Sequence, residues 1–252
     1  MLPFHRLDGP EDAPVLVLSN SLGTTNEMWK PQLPALVRGF RVLQYDRRGH
    51  GRSEVVPGSC TIADLGRDVL ELLDALKLER VSYCGLSIGG MDGMWLAANA
   101  AERIDRLCLC STSANLGPPE TWVERAATVR AEGTGAVADA TMGRWFTPAF
   151  HEERPEVVAR FREMVASTPA EGYASCCEAI RDWDFRDELG RISAPTLVLS
   201  AELDPSTPPD HGRLVADGIP GASFVVVPDA AHLVNVERSG EVDEAILRHL
   251  ER

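Results

Sequence analysis

The chain has 252 residues, 44% of them hydrophobic, enough for one sizeable core, and single α/β domains of this length are common. It carries 25 Lys and Arg against 38 Asp and Glu, a formal net charge of -13. With no basic run or aromatic-basic stripe, that balance excludes nucleic acid as an expected partner and reads as an acidic surface. No apolar run approaches the ~18–20 residues of a membrane span, so no membrane partner is expected. The opening MLPFHRLDGPEDAP lacks the basic-then-apolar form of a signal peptide, so the expected location is the cytoplasm.

Taken in chain order, short apolar runs alternate with helical patterns. Val15 to Leu18 predicts a strand, followed by the loop Ser19-Asn20-Ser21-Leu22-Gly23 and a capped helical start at Thr24-Thr25-Asn26-Glu27. Arg41 to Tyr45 predicts a second strand, and His50 in Arg48-Gly49-His50-Gly51 reads as a structural turn residue. Thr61-Ile62-Ala63-Asp64 is a capping-box start, and Ile62, Leu65, Val69, Leu72, Leu73 and Leu76 then mark one helical face. Strands are expected at Val81 to Cys84, Ile104 to Cys110, Thr196 to Ser200 and Phe224 to Val227. Being apolar throughout, these runs predict strands covered on both faces. Val242, Ala245, Ile246 and Leu250 mark a last helical face. The alternation implies a mostly parallel sheet with helices on its faces.

From about Asn115 to Leu189 no strand-like run occurs. Helical patterns broken by Pro118-Pro119, Pro148, Pro155 and Pro169 carry Trp122, Trp145, Phe146, Phe150, Phe161, Tyr173 and Trp183. The segment predicts a helical cap over the sheet, with residues 1–114 and 190–252 as the core. Aromatic residues on such helices serve packing more often than substrate contact.

The chemistry centres on Gly85-Leu86-Ser87-Ile88-Gly89-Gly90, between a predicted strand and the helix Met91 to Asn99. G-x-S-x-G in that context is a nucleophile elbow. A side chain at Gly85 or Gly89 is expected to collide with neighbouring backbone, and the tight turn exposes Ser87 at a helix N-terminus. An elbow serine needs a base and an orienting acid, and the chain order for this architecture is Ser, acid, His. Asp204 follows the Thr196–Ser200 run and His232 follows the Phe224–Val227 run, so they are the predicted acid and base. His5, His151, His211 and His249 do not follow a buried strand, and His50 precedes the nucleophile. An oxyanion hole needs two backbone N–H groups. Ile88, directly after the serine, and Leu22, in the loop after the first buried strand, are the candidates. The six cysteines form no C-x-x-C pair or zinc spacing, so no metal is expected and reduced thiols are the default.

GLSIGG, DRRGHGRS, the Leu203-Asp204-Pro205 turn and the PDAAH loop together resemble the α/β-hydrolase superfamily over essentially the whole chain. LSNSLGTTNEMW, GMWLAANA, RWFTPAF and DPSTPP resemble a narrower group, the 3-oxoadipate enol-lactonases of aromatic-acid catabolism. The resemblance implies an α/β-hydrolase fold and a five-membered enol-lactone substrate bearing an acetate side chain. It also implies an acyl-enzyme on Ser87 and no metal or organic cofactor. Other hydrolases share this frame, among them aryl esterases, perhydrolases and hydrolases of C–C bonds, as do non-catalytic binders of small ligands.

The chain departs from the family pattern in places. Asn20-Ser21 stands where many members have His-Gly, Ala201 where relatives have glycine, and the usual first strand is missing or shortened. Asp92 lies where relatives carry an apolar residue. It faces a polar cavity, pairs with an arginine or marks an altered chain. If it is unpaired, its pKa is raised and Asp92→Val is tolerated or stabilising. An acidic protein that takes an anionic substrate needs a local cation, and Arg144 beside Trp145 is the expected clamp, with Arg181 before Trp183 next. The sequence leaves oligomeric state open.

Overall fold

The computed structural model describes residues 2–251. Seven strands build one sheet: β1 (His5–Asp8), β2 (Val15–Ser19), β3 (Arg41–Tyr45), β4 (Val81–Leu86), β5 (Ile104–Cys110), β6 (Thr196–Ala201) and β7 (Ser223–Val227). Their spatial order is β1-β3-β2-β4-β5-β6-β7. Every pairing is parallel except β1 with β3, which is antiparallel with His5 opposite Tyr45. The six strands expected from apolar runs all form. β1 does not read as a strand in sequence, because His5-Arg6-Leu7-Asp8 holds one apolar residue. Its order comes from pairing with β3 at the sheet edge.

The central strands β2, β3 and β4 are buried almost throughout, as continuous apolar runs require. β7 corrects the expectation of a strand covered on both faces. It is the opposite edge of the sheet, and Val225 and Val226 are exposed. An apolar run alone does not tell an edge strand from a central one.

The helix Ile62–Ala75 begins with the expected capping box. The Thr61 side chain accepts from the Asp64 N–H, and Asp64 accepts from the Thr61 N–H at 2.9 Å. Its buried side includes Ile62, Leu65, Val69, Leu72 and Leu73. The helix Ile88–Asn99 is buried nearly all round its first two turns, so it has no solvent face there. All six cysteines are buried, and three of them, Cys84, Cys108 and Cys110, pack as small apolar residues within β4 and β5.

Between β5 and β6 lie the helices Pro119–Glu132, Gly135–Trp145, Pro148–Glu153, Pro155–Ala166 and Ala170–Arg181. Pro119, Pro148 and Pro155 each open a helix, where a missing N–H and a fixed φ cost nothing. The two ends of the insertion meet in an antiparallel bridge between Asn115 and Asp184. Among the described residues, no helix is long and apolar enough to cross a membrane.

Candidate active site

The strand β4 ends at Leu86 and the helix Ile88–Asn99 begins two residues on, so Ser87 takes the whole reversal. Its backbone sits at φ 60, ψ -121, a conformation costly for a residue with a side chain. The surroundings enforce it. The Ser87 N–H donates to Cys110 O at 3.0 Å, and the Ser87 carbonyl accepts from Thr112 Oγ1 at 2.7 Å and Gly90 N at 2.8 Å. A Cβ at Gly85 would stand 2.0 Å from Gly89 O, and one at Gly89 would stand 2.5 Å from Ser19 O. Both glycines are therefore required by close backbone approach, as the sequence predicts.

Asp204 lies beyond β6 and His232 beyond β7, which are neighbours in the sheet. Asp204 Oδ2 accepts from His232 Nδ1 at 2.7 Å and from Thr207 Oγ1 at 2.6 Å. Its Oδ1 accepts from the N–H groups of Ser206 at 2.7 Å and Thr207 at 3.1 Å. Burial alone would raise the Asp204 pKa, but the charge and hydrogen bond of His232 and the bonds from Thr207 outweigh it and hold the carboxyl below its ordinary value. With Nδ1 donating to Asp204, the imidazole keeps a lone pair on Nε2.

Ser87 and His232 line one cavity of about 500 Å³, together with Ser21 and Leu22 from the loop after β2. Ile88 opens the following helix, so its N–H has no acceptor within that helix. The loop is pinned on its far side by His50. Its Nε2 accepts from the Gly23 N–H at 3.0 Å and its Nδ1 bonds Arg48 O at 3.1 Å. Burial, and then the Arg47 charge, push the His50 pKa down to about 3, which keeps the ring neutral and able to accept. His50 is thus the structural residue the sequence suggests. Among the described residues, His5, His151, His211 and His249 do not line the cavity.

The insertion supplies the other wall of the cavity, with Trp122, Arg125, Arg144, Trp145 and Tyr173. Arg144 and Trp145 are where the sequence places them. Arg181 is not: its guanidinium grips Asp182 at 2.7 and 2.6 Å on the surface, and the neighbouring Ile180 reaches the cavity instead. Arg125 takes the place expected of Arg181, a residue the sequence reading misses. Its Nη2 donates to Thr141 Oγ1 at 2.8 Å, and Arg144 Nη2 reaches the same oxygen at 3.4 Å. The Arg125 guanidinium also lies over the rings of Tyr173 at 5.5 Å and Trp122 at 5.7 Å. Burial and the nearby Arg125 charge lower the Arg144 pKa. Trp122 and Arg125, three apart on a helix, share a face, and that shared face is the one local trace of this second arginine in the sequence.

Of the three readings open for Asp92, the structure selects pairing with an arginine, so the case of an unpaired carboxylate does not apply. Asp92 is fully buried but not alone: Oδ2 lies 3.1 Å from Arg47 Nη2 and accepts from Ser19 Oγ at 3.2 Å. Burial pushes its carboxyl up, as expected, and Arg47 draws it back only in part.

Comparison with known proteins agrees with the fold. A family model described as alpha/beta hydrolase fold matches residues 14–239. A 3-oxoadipate enol-lactonase of Acinetobacter baylyi is 40% identical over 94% of this chain and 89% of its own length. The crystal structure of the enol-lactonase from Burkholderia xenovorans superposes with a TM-score of 0.97 at 47% identity, covering 99% of this chain and 96% of that one. A hydrolase from Pseudomonas aeruginosa gives a TM-score of 0.95 at 50% identity, over 98% of this chain and 94% of the other.

Proposed function

The chain belongs to the α/β-hydrolase family, and from that premise we propose that it opens 3-oxoadipate enol-lactone to 3-oxoadipate through an acyl-enzyme on Ser87. One observation carries the choice of an anionic lactone. Two arginines that line the cavity holding Ser87, Arg125 and Arg144, converge on the Thr141 hydroxyl, and neither forms an ion pair among the described residues. In a protein of net charge -13, two adjacent guanidiniums without a protein counter-ion suit a substrate carboxylate.

Residues 115–189 act as a cap that carries this anion site, over a core of residues 1–114 and 190–252. Ser87 Oγ attacks the lactone carbonyl while His232 Nε2 takes its proton. Asp204 holds the Nδ1–H and offsets the imidazolium charge. The backbone N–H groups of Leu22 and Ile88 receive the tetrahedral oxyanion. The ring C–O bond then breaks, and the enol oxygen takes the proton from His232 and tautomerises to the ketone. An enol leaves readily, so it asks less acid catalysis than an amide nitrogen. Water, deprotonated by His232, then releases the acyl group from Ser87. Trp122 and Trp145 wall the apolar ring, and Arg125 and Arg144 fix the acetate arm. Every step is supplied by side chains and backbone N–H groups of this chain.

A panel of small lactones and aryl esters, each with and without a carboxylate, tests the assignment. A charged hydrogen-bonded contact contributes about 1.5–3 kcal/mol, so the carboxylated enol-lactone should exceed neutral counterparts about 10- to 100-fold in kcat/KM. Equal or better turnover of neutral aryl esters would make the protein a general esterase. Binding without turnover would make it a ligand-binding protein.

A further inference from the structure

The two proposed oxyanion donors come from different elements. Leu22 lies in the loop after β2, and Ile88 opens the helix after Ser87. Something must hold one against the other to within a fraction of an ångström, because a donor out of line contributes little. The contact between the two elements is close, since Gly89 leaves no room for a Cβ beside Ser19 O. A single buried ion pair spans the same junction.

Arg47 follows β3 and Asp92 sits on the helix that Ile88 opens, four residues further along and so on the same side of it. Arg47 Nη2 donates to Asn20 O at 2.7 Å and to Ser19 Oγ at 3.3 Å, and lies 3.1 Å from Asp92 Oδ2. Ser19 Oγ in turn bonds Asp92 Oδ2 at 3.2 Å and the Tyr45 hydroxyl at 2.7 Å. The Asn20 amide adds a bond to Tyr45 O at 2.7 Å. One nitrogen of Arg47 therefore touches the loop backbone and the nucleophile helix at once. At the other end of the loop, His50 holds Gly23.

The pair is poorly explained as a stability device. Among the described residues, Arg47 Nε and Nη1 and Asp92 Oδ1 are buried with no hydrogen-bond partner, so protein groups compensate the buried charges only in part. Apolar residues at both positions would fill such a space at less cost. What a charged pair adds is direction: a guanidinium fixed by a carboxylate aims an N–H at one carbonyl.

We propose that Arg47 and Asp92 are positioning residues that fix the Asn20 carbonyl and so orient the Leu22 N–H opposite that of Ile88. This rests on the serine-hydrolase reading given above. Neither residue is among those lining the cavity, so both act through the loop and not on substrate.

The test is the double variant Arg47→Met/Asp92→Val, which replaces the pair by apolar residues of similar size, with Asp92→Asn and Ser87→Ala alongside. Each is measured for melting temperature, for kcat and KM on an activated aryl ester, and for affinity toward a phenylboronic acid that forms a tetrahedral adduct on the serine. The double variant should melt close to the parent yet lose about 10- to 100-fold in kcat with KM little changed, and boronate affinity should fall in parallel. Asp92→Asn, which keeps shape and removes charge, should show the same split between kcat and KM, and carries the test if the double variant does not fold. A folded double variant, or a folded Asp92→Asn, with parental kcat and boronate affinity would overturn the proposal while Ser87→Ala remains inactive. Parental turnover by Ser87→Ala would overturn the hydrolase reading and this proposal together.

Discussion

Thr147 donates to Glu237 Oε1 twice, through its N–H and its hydroxyl, each at 2.8 Å. The other oxygen, Oε2, accepts from the Ala231 N–H at 2.5 Å, one residue before His232. Leu233, one residue after it, donates its N–H to Trp145 O at 3.1 Å. The histidine loop is thus held on both sides, by a buried carboxylate and by the insertion itself. Glu237→Ala removes the acceptor for three donors. It should cost about 2–4 kcal/mol, since hydrogen bonds to charged groups contribute about 1.5–3 kcal/mol each and are not additive. A urea titration of both proteins measures this. A loss below half a kcal/mol would show that the loop does not depend on the carboxylate.

On the proposed function, Asp204 is expected to tie activity to acid stability. Its folded pKa lies below that of a free carboxylate, so its contribution is complete above about 3.9 and declines as pH falls through the folded value. Melting temperatures from pH 6 down to pH 3 should drop less steeply for Asp204→Asn than for the parent. The same variant should lose about 10⁴-fold in kcat, because the amide favours the wrong histidine tautomer. Parallel acid profiles would mean that Asp204 is not held ionised by His232 and Thr207.

The paired arginines predict a selective loss. Arg144→Ala and Arg125→Ala should each raise KM for the carboxylated lactone by about 10-fold or more, a loss of one charged contact. A neutral aryl ester should change less than about 2-fold in kcat/KM, since it never used the clamp. Arg125→Lys should not restore the parent, as an ammonium cannot reproduce the planar fork. Equal losses on both substrates would point to a collapsed insertion.

Asp92→Val alone is expected to be harmful. It leaves Arg47 buried without its carboxylate, and breaking a buried pair costs about 3–5 kcal/mol. Replacing Arg47 by Met in the same protein should return most of that. A thermal melt of the single and double variants decides this, and a single variant as stable as the parent would remove the ion pair as a structural element.

Asp92 also shows where the sequence stops being legible. Its oddity is visible among apolar neighbours, but its partner lies 45 positions earlier, on the far side of another strand. No local pattern joins the two. The elbow, the acid and the base are legible because each follows a strand in fixed order, and the parallel sheet brings strand ends to one edge. β1 and the exposure of β7 are not, since edge position is a property of the assembled sheet. Arg181 fails for a related reason: Ile180 and Arg181 are adjacent on a helix, and which one faces the cavity depends on how that helix docks. Arg125 and Trp122 share a face by spacing, yet nothing local says that the face is turned toward Ser87.

In the proposed reaction Ser87 attacks the carbonyl of a carboxylated enol-lactone. The most direct test of that step is the rate of ring opening of 3-oxoadipate enol-lactone, followed by ultraviolet absorbance, for the parent and for folded Ser87→Ala at equal concentration. Removing a triad nucleophile should cost about 10⁶-fold in kcat, which leaves the variant at the background rate of the assay. Ring opening by Ser87→Ala within about 10-fold of the parent, where a lost nucleophile predicts background alone, would show that Ser87 is not the nucleophile.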